Sequence, residues 1–259
     1  LNSREDEKGE LMQGSLESRP VSHSEPIHLH PTTTLAERVL LPGDPGRALA
    51  LAQFLLEQPL MFNHHRGLWG YTGTAADGEP LTIQSTGMGG PSAAIVLHEL
   101  ISLGVTRAIR VGTCGALSAA LSLGDLVVAH EAIVADGTSA ALGAGELTLA
   151  DPTLAGALVE ELGSNPVRAH HEGRIVSTDL FYERDGKRNA SWSGAGAIAV
   201  EMEASTLFAV GAAAGIQVAC VLAVSDTFSG PDARVHIDDD SLLHAAEAMG
   251  SAAAAALAR

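Results

Sequence analysis

Short apolar runs rich in β-branched residues recur along the chain, and one after another ends at a glycine or proline before helical spacing begins. Such runs can satisfy their buried backbone groups only by pairing in a common sheet, with the intervening helices laid over it. RVLLP (38–42) reads as a buried strand and GDPGR as a turn, after which an Ala/Leu-rich helix runs from about Arg47 to Leu56. LWGYTG and LTIQSTG read as two strands around an Asp77-Gly78 turn, and Pro91 opens a helix that Gly104 stops. AIRVGT then runs into a glycine turn at Thr113, Cys114 and Gly115, and DLVVAHEAIV follows as a long strand. Asp136 to Gly145 reads as a loop, Pro152 to Leu162 as a helix, RIVSTD as a strand, and Arg184 to Trp192 as a further helix. The strand AIAVE meets a helix opened by Met202 to Ala204, VACVLAVSD is another buried strand, and DDDSLLH starts a final helix whose acids suit its N-terminal dipole. This alternation predicts an α/β fold with three layers, α/β/α, around a central mixed sheet, and it places binding sites at the carboxyl ends of strands.

At 259 residues, 46% hydrophobic and 18% charged, the chain can bury one large core, so one domain is expected over residues 26–259. Residues 1–25 are polar and aperiodic and read as a flexible tail, without the apolar centre of a secretory signal. No run approaches the roughly 20 apolar residues of a membrane helix, and the reading is of a cytoplasmic protein with no membrane partner. The two cysteines, Cys114 and Cys220, lie in apolar segments and read as packed free thiols. A formal charge of -16 disfavours nucleic acid as a partner and repels small anions unless positive charge is concentrated locally. From residue 26 onward there are only 12 basic residues, of which Lys187 is the sole lysine, yet Arg47, Arg66 and Arg110 each stand within two positions of a glycine. Any one of these reads as an ordinary surface pair; the three together suggest an anion cradle.

The segments LPGDPGRA (41–48), NHHRGLWGYTG (63–73), STGMGGPSAAI (85–95), IRVGTCGA (109–116), STDLFY (177–182), VEMEAS (200–205) and VSDT (224–227) carry a resemblance. In this order and spacing the chain resembles, from about Pro26 to its C-terminus, the nucleoside phosphorylase family that includes hexameric purine nucleoside phosphorylases and uridine phosphorylases. The resemblance implies a phosphorylase/hydrolase-like fold. It also implies that Gly43, Arg47, Arg110 and Thr113 hold phosphate, with Arg66 supplied by the neighbouring subunit of a dimer within a homohexamer. Ribose falls to Met88, Met202 and Glu203, with Glu201 beside them and His28 or His30 reaching across from the partner. The base falls to Cys114, Gly115, Phe181, Val200 and Ser225. Asp226 becomes the acid that meets the departing base, and Arg234 is the only nearby arginine that could assist it.

The chemistry of these residue types is compatible with those roles. A purine leaves as a poor anion unless its imidazole-ring nitrogen gains a proton, and burial at the end of an apolar strand should push the Asp226 carboxyl toward its neutral form. The plainer reading is an aspartate that caps the next turn. Glu203 can accept hydrogen bonds from ribose hydroxyls and stabilise positive charge on the sugar, or it can be no more than an acid in a first helical turn. Met88 and Met202 alone would be core filler, and Gly43 and Gly112 alone would be tight turns.

Ser225-Asp226 favours purine nucleosides, because the similar uridine enzymes grip uracil with a glutamine and an arginine. No Gln-x-Arg pair occurs between Thr178 and Ala195, although Arg184 keeps uridine phosphorylase as the alternative. A nucleosidase has no use for an arginine cradle, and a catalytically silent binding subunit has none for Asp226. The expected reaction is therefore phosphorolysis in purine salvage, with inorganic phosphate as co-substrate and no organic cofactor. No metal is expected, since His64, His65, His170 and His171 lack carboxylate or cysteine companions at a ligand spacing, and Gly87 to Gly90 falls short of a dinucleotide fingerprint.

Overall fold

A computed structural model describes residues 26–164, 168–182, 187–228 and 234–259. The expected tail over residues 1–25, and Arg184 at the start of an expected helix, lie outside the described residues. The strands are β1 (Arg38–Leu41), β2 (Glu57–Asn63), β3 (Gly70–Thr74), β4 (Pro80–Gln84), β5 (Arg107–Ala116), β6 (Leu126–Ala135), β7 (Leu147–Leu149), β8 (His170–Thr178), β9 (Ala197–Glu201), β10 (Gln217–Phe228) and β11 (Arg234–His236). The helices are α1 (Pro45–Leu55), α2 (Gly90–Ser102), α3 (Gly137–Ala141), α4 (Pro152–Ser164), α5 (Lys187–Gly194), α6 (Ala204–Ala214) and α7 (Asp239–Ala258).

Local chemistry accounts for the first unit. Every residue of β1 is buried, as in a strand covered on both faces. Pro45 starts α1 where its missing N–H has no helical partner to lose, and the preceding Asp44 caps the helix by accepting the Arg47 N–H at 2.6 Å. The same grammar recurs at α7, where the Asp238 carboxylate accepts from the Ser241 N–H.

The strands form one mixed sheet in the order β11-β10-β6-β8-β9-β5-β1-β4-β3-β2, with β7 beside β6. Because β10 also pairs in parallel with β5, the strands β5, β10, β6, β8 and β9 close into a ring within that sheet. Helices α2, α3 and α6 pack as one group and α1, α4 and α7 as another, which gives the three-layer α/β/α arrangement.

Several sequence expectations need correction. Residues 113–115 are not a turn, since β5 continues through Ala116. The stretch 136–145 contains the short helix α3, capped by Asp136. Strands β2, β7 and β11 were not anticipated: β2 buries only Phe62 and Asn63, and the other two have three residues each. Among the described residues no helix is long and apolar enough to cross a membrane, and no three His, Cys, Asp or Glu side chains could together hold a metal ion. Cys114 and Cys220 are buried and unbonded.

Candidate active site

The segments at or just beyond the carboxyl ends of β1, β4, β5, β8, β9 and β10 line a single cavity of about 680 Å³. That is where a ligand is expected in an α/β sheet. Two clusters of charged side chains meet there, one around Arg110 and one around Asp226.

Arg110 is 3% exposed and sits in the middle of β5, opposite Leu41 of β1 and Cys220 of β10. A guanidinium at such a depth needs partners on the protein. Its Nε donates to Glu201 Oε2 at 2.8 Å, and its Nη2 lies 2.5 Å from Glu203 Oε2. Burial works against the charge, but Glu203 and Glu201 outweigh it and raise the affinity of Arg110 for its proton. The remaining nitrogen, Nη1, is buried and has no hydrogen-bond partner among the described residues. Gly112 lies two residues further on the same face of the strand, and a Cβ there would stand 2.7 Å from both Cζ and Nη2. Glycine at this position leaves room for the guanidinium; it does not make a tight turn.

Glu201 is fully engaged. Its oxygens accept the backbone N–H groups of Glu203 at 2.9 Å and Ala204 at 3.0 Å, and the Ser177 hydroxyl donates to Oε1. It therefore caps α6 and aims Arg110, and it lines the cavity beside Met202 and Glu203. Glu203 holds the N-cap position of α6 but is buried, and its Oε1 accepts the Gly89 N–H at 2.5 Å. Gly89 has φ +84°, a conformation that costs little only for glycine. Burial pushes the Glu203 carboxyl up, with Arg110 opposing. Each oxygen still has lone-pair capacity for a hydroxyl donor. Arg47 lines the same cavity from α1, and burial lowers the affinity of its guanidinium for a proton; Asp44 opposes this and the nearby Arg110 adds to it. Gly43, Thr113 and Met202 complete this part of the lining, with Met88, which is 85% exposed, at its margin.

The second cluster depends on a bulge. Val224 of β10 pairs with Cys114 of β5 and Asp226 with the next residue, Gly115, so Ser225 is one residue too many. Neighbours in a regular strand face opposite ways, but here Ser225 and Asp226 both line the cavity. Asp226 is 3% exposed. Its Oδ1 accepts from Arg234 Nε at 2.7 Å and lies 2.8 Å from His236 Nδ1, while the Ser225 hydroxyl donates to Oδ2 at 2.7 Å. Burial pushes the carboxyl up, as the sequence suggested. The bonds from Arg234, His236 and Ser225 outweigh burial, and the group is held below the usual carboxylate range. Asp226 thus rests ionised, the reverse of the expected neutral form.

Arg234 reaches Asp226 through the antiparallel pairing of β10 and β11, and its guanidinium lies 4.2 Å over the ring of Phe181. Phe181 is 52% exposed and meets Tyr182 edge-on. Cys114, Gly115 and Val200 also line the cavity, and burial pushes the Cys114 thiol up.

Three expected residues lie elsewhere. His28 Nδ1 is 2.6 Å from Glu99 Oε1, and Glu99 also accepts the backbone N–H groups of Ile27, His28 and Leu29. His30 stacks on His65 at 3.8 Å, and His65 Nδ1 is 3.0 Å from the His28 carbonyl. Arg66 follows His65, exposed and at φ +57°. His28, His30 and Arg66 are thus gathered around His65, and none of them lines the cavity. The sequence reading had not singled out Ser177 beneath Glu201, Asn189 and Trp192 on α5 at the cavity wall, or His236 beside Asp226. Ser177 stands within the STDLFY segment, but its tie to Glu201 and that of His236 to Asp226 are made across strands distant in sequence or not expected there.

The family model of the Phosphorylase superfamily matches residues 37–259. The chain is 39% identical to a DeoD-type purine nucleoside phosphorylase of Clostridium novyi (strain NT), over 74% of this chain and 83% of that protein. It is 38% identical to the DeoD-type purine nucleoside phosphorylase of Clostridium beijerinckii, over 78% of this chain and 86% of the relative. The corresponding protein of Geobacillus kaustophilus is 38% identical, over 75% and 83%. On these matches, and on a cavity built from the motifs that suggested it, the chain belongs to the nucleoside phosphorylase family of the Phosphorylase superfamily.

Proposed function

We propose that the protein is a purine-nucleoside phosphorylase, a pentosyltransferase that uses inorganic phosphate to release a purine base and leave (deoxy)ribose 1-phosphate. The observation that carries this reading is the buried Nη1 of Arg110, unpartnered among the described residues and near Arg47, with Arg110 lining the same cavity as a hydrogen-bonded Asp226. An orphaned guanidinium nitrogen at that depth is costly, and a bound oxyanion satisfies it. The relatives named above are purine nucleoside phosphorylases.

Phosphate held by Arg47, Arg110, Gly43 and Thr113 attacks the anomeric carbon from the face opposite the base. As the bond to the base breaks, positive charge grows on the sugar ring, and the carboxylate of Glu203 and the phosphate itself stabilise it. Met88 and Met202 pack against the sugar. The base leaves against Phe181 and Val200, and its imidazole-ring nitrogen meets Asp226, which Arg234 orients.

The rest of the proposal concerns setting. Inorganic phosphate is a co-substrate and no organic cofactor or metal takes part. The enzyme works in the cytoplasm in purine salvage, as a homohexamer built from dimers, with Arg66 and His28 or His30 completing the neighbour's site. The gathering of those residues around His65, away from their own cavity and near the exposed Ile27, Leu60 and Met61, supports that sharing.

The test is incubation with inosine, adenosine and uridine, with and without phosphate, followed by identification of the sugar product. Phosphate-dependent ribose 1-phosphate from a purine nucleoside is the expected result. Free ribose would mean hydrolysis, and turnover of uridine alone would mean a pyrimidine enzyme; either overturns the reading.

A further inference from the structure

The reaction proposed above needs a proton at the departing base, and Asp226, which rests ionised, does not carry one. An ionised carboxylate only accepts hydrogen bonds, so the 2.8 Å contact between Asp226 Oδ1 and His236 Nδ1 places a proton on that ring nitrogen. Arg234 makes a bond to the same oxygen, but its guanidinium does not give up a proton in a protein. Ser225, on Oδ2, is a hydroxyl with no tendency to ionise. Of the three donors on Asp226 among the described residues, His236 alone is an imidazole, whose two ring nitrogens can take up a proton on one side and give one up on the other.

Its location suits that task. Asp226 and His236 are direct register partners across β10 and β11. His236 does not line the cavity, and its side chain is 61% exposed, so one edge of the ring faces the buried carboxylate while the rest meets water. We propose that His236 is a positioning residue that conducts a proton from solvent to Asp226 during turnover. This inference rests on the phosphorylase reading. In balanced form, the imidazolium gives its Nδ1 proton to Asp226 Oδ1, Asp226 gives a proton to the imidazole-ring nitrogen of the purine as the glycosidic bond breaks, and His236 regains one from water. The base departs neutral, phosphate becomes the sugar phosphate ester, and nothing is oxidised or reduced.

The test compares inosine with 7-methylinosine, whose leaving base already carries the charge that protonation would supply. His236→Asn retains an N–H donor toward Asp226 but cannot titrate, and His236→Ala opens the position to added imidazole. In the Asn variant kcat for inosine should fall about 100-fold, with KM little changed, as for loss of a proton-transfer partner. The rate with 7-methylinosine should hold, and imidazole should restore part of the inosine rate of His236→Ala. An equal fall on both nucleosides would make His236 merely structural, and an unchanged inosine rate would make it idle; either overturns the proposal. A wild-type protein inactive on both nucleosides would instead overturn the phosphorylase reading itself.

Discussion

The two charged clusters of the cavity are built on opposite plans. Around Arg110, an arginine and two glutamates sit buried where β5, β9 and the start of α6 meet, each fixed by backbone N–H groups or by another charge. Around Asp226, the carboxylate and Ser225 are buried, but Arg234 and His236 stand on a short edge strand and, like Phe181 beneath Arg234, keep contact with water. Buried charges must be neutralised before any substrate arrives, whereas partners at the rim can be exchanged during the reaction. On the function proposed above, the first cluster would grip an anion that is the same in every turnover, and the second would serve a proton that must come and go.

Substitution at the centre of the first cluster should have the largest effect. Arg110→Met would leave Glu201 and Glu203 buried without a counter-charge, so urea unfolding should show a loss of about 3–5 kcal/mol. Phosphorolysis should fall below detection. A well-folded, active variant would erase the contrast between the clusters. Next, Asp226→Ala should lower kcat for inosine by about 10²–10⁴-fold while phosphate binding, followed by calorimetry, changes little. Unchanged turnover would reject the contact with the base.

Gly112→Ala probes the close approach in β5. The added methyl displaces the Arg110 guanidinium, at a cost of about 1–3 kcal/mol in stability and with a raised KM for phosphate rather than for nucleoside. Phe181→Ala should do less, raising the nucleoside KM by no more than about 10-fold, in keeping with one aromatic contact. The smallest effect is one of pH. Because the Asp226 carboxyl is depressed in the folded state, its contribution to stability is complete above the unfolded value of about 4 and is lost as pH falls through the lower folded value. The stability gap between wild type and Asp226→Asn, read from urea titrations, should therefore be open at neutral pH and close in acid.

Much of the frame could be read from the chain because it is local. The apolar β1, β6 and β9 end where their runs end, α1 starts at Pro45, α2 carries Pro91 in its first turn, and α7 follows the Asp238 cap. What escaped depends on distant partners. The mostly exposed β2 shows no alternation toward a core, β5 carries glycines that resemble a turn, and the closure of five strands into a ring is set by the pairing of β5 with β10. The cavity shows the same divide. Arg47, Arg110, Glu203 and Asp226 were visible as residue types within motifs. The commitment of Glu201 to α6 and the ionised state of Asp226 were not, because each is decided by side chains from other elements.

The surplus residue at Ser225 sets the parity of everything after it in β10. Upstream, odd and even positions look to alternate walls; past the bulge that assignment is reversed. Deleting Ser225 would keep Asp226 opposite Gly115, whereas flattening the bulge with all residues retained would turn Asp226 outward and put Thr227 on its side. Which side chain β10 presents to the cavity is thus encoded as much by a tally of residues along a strand as by which residue stands there.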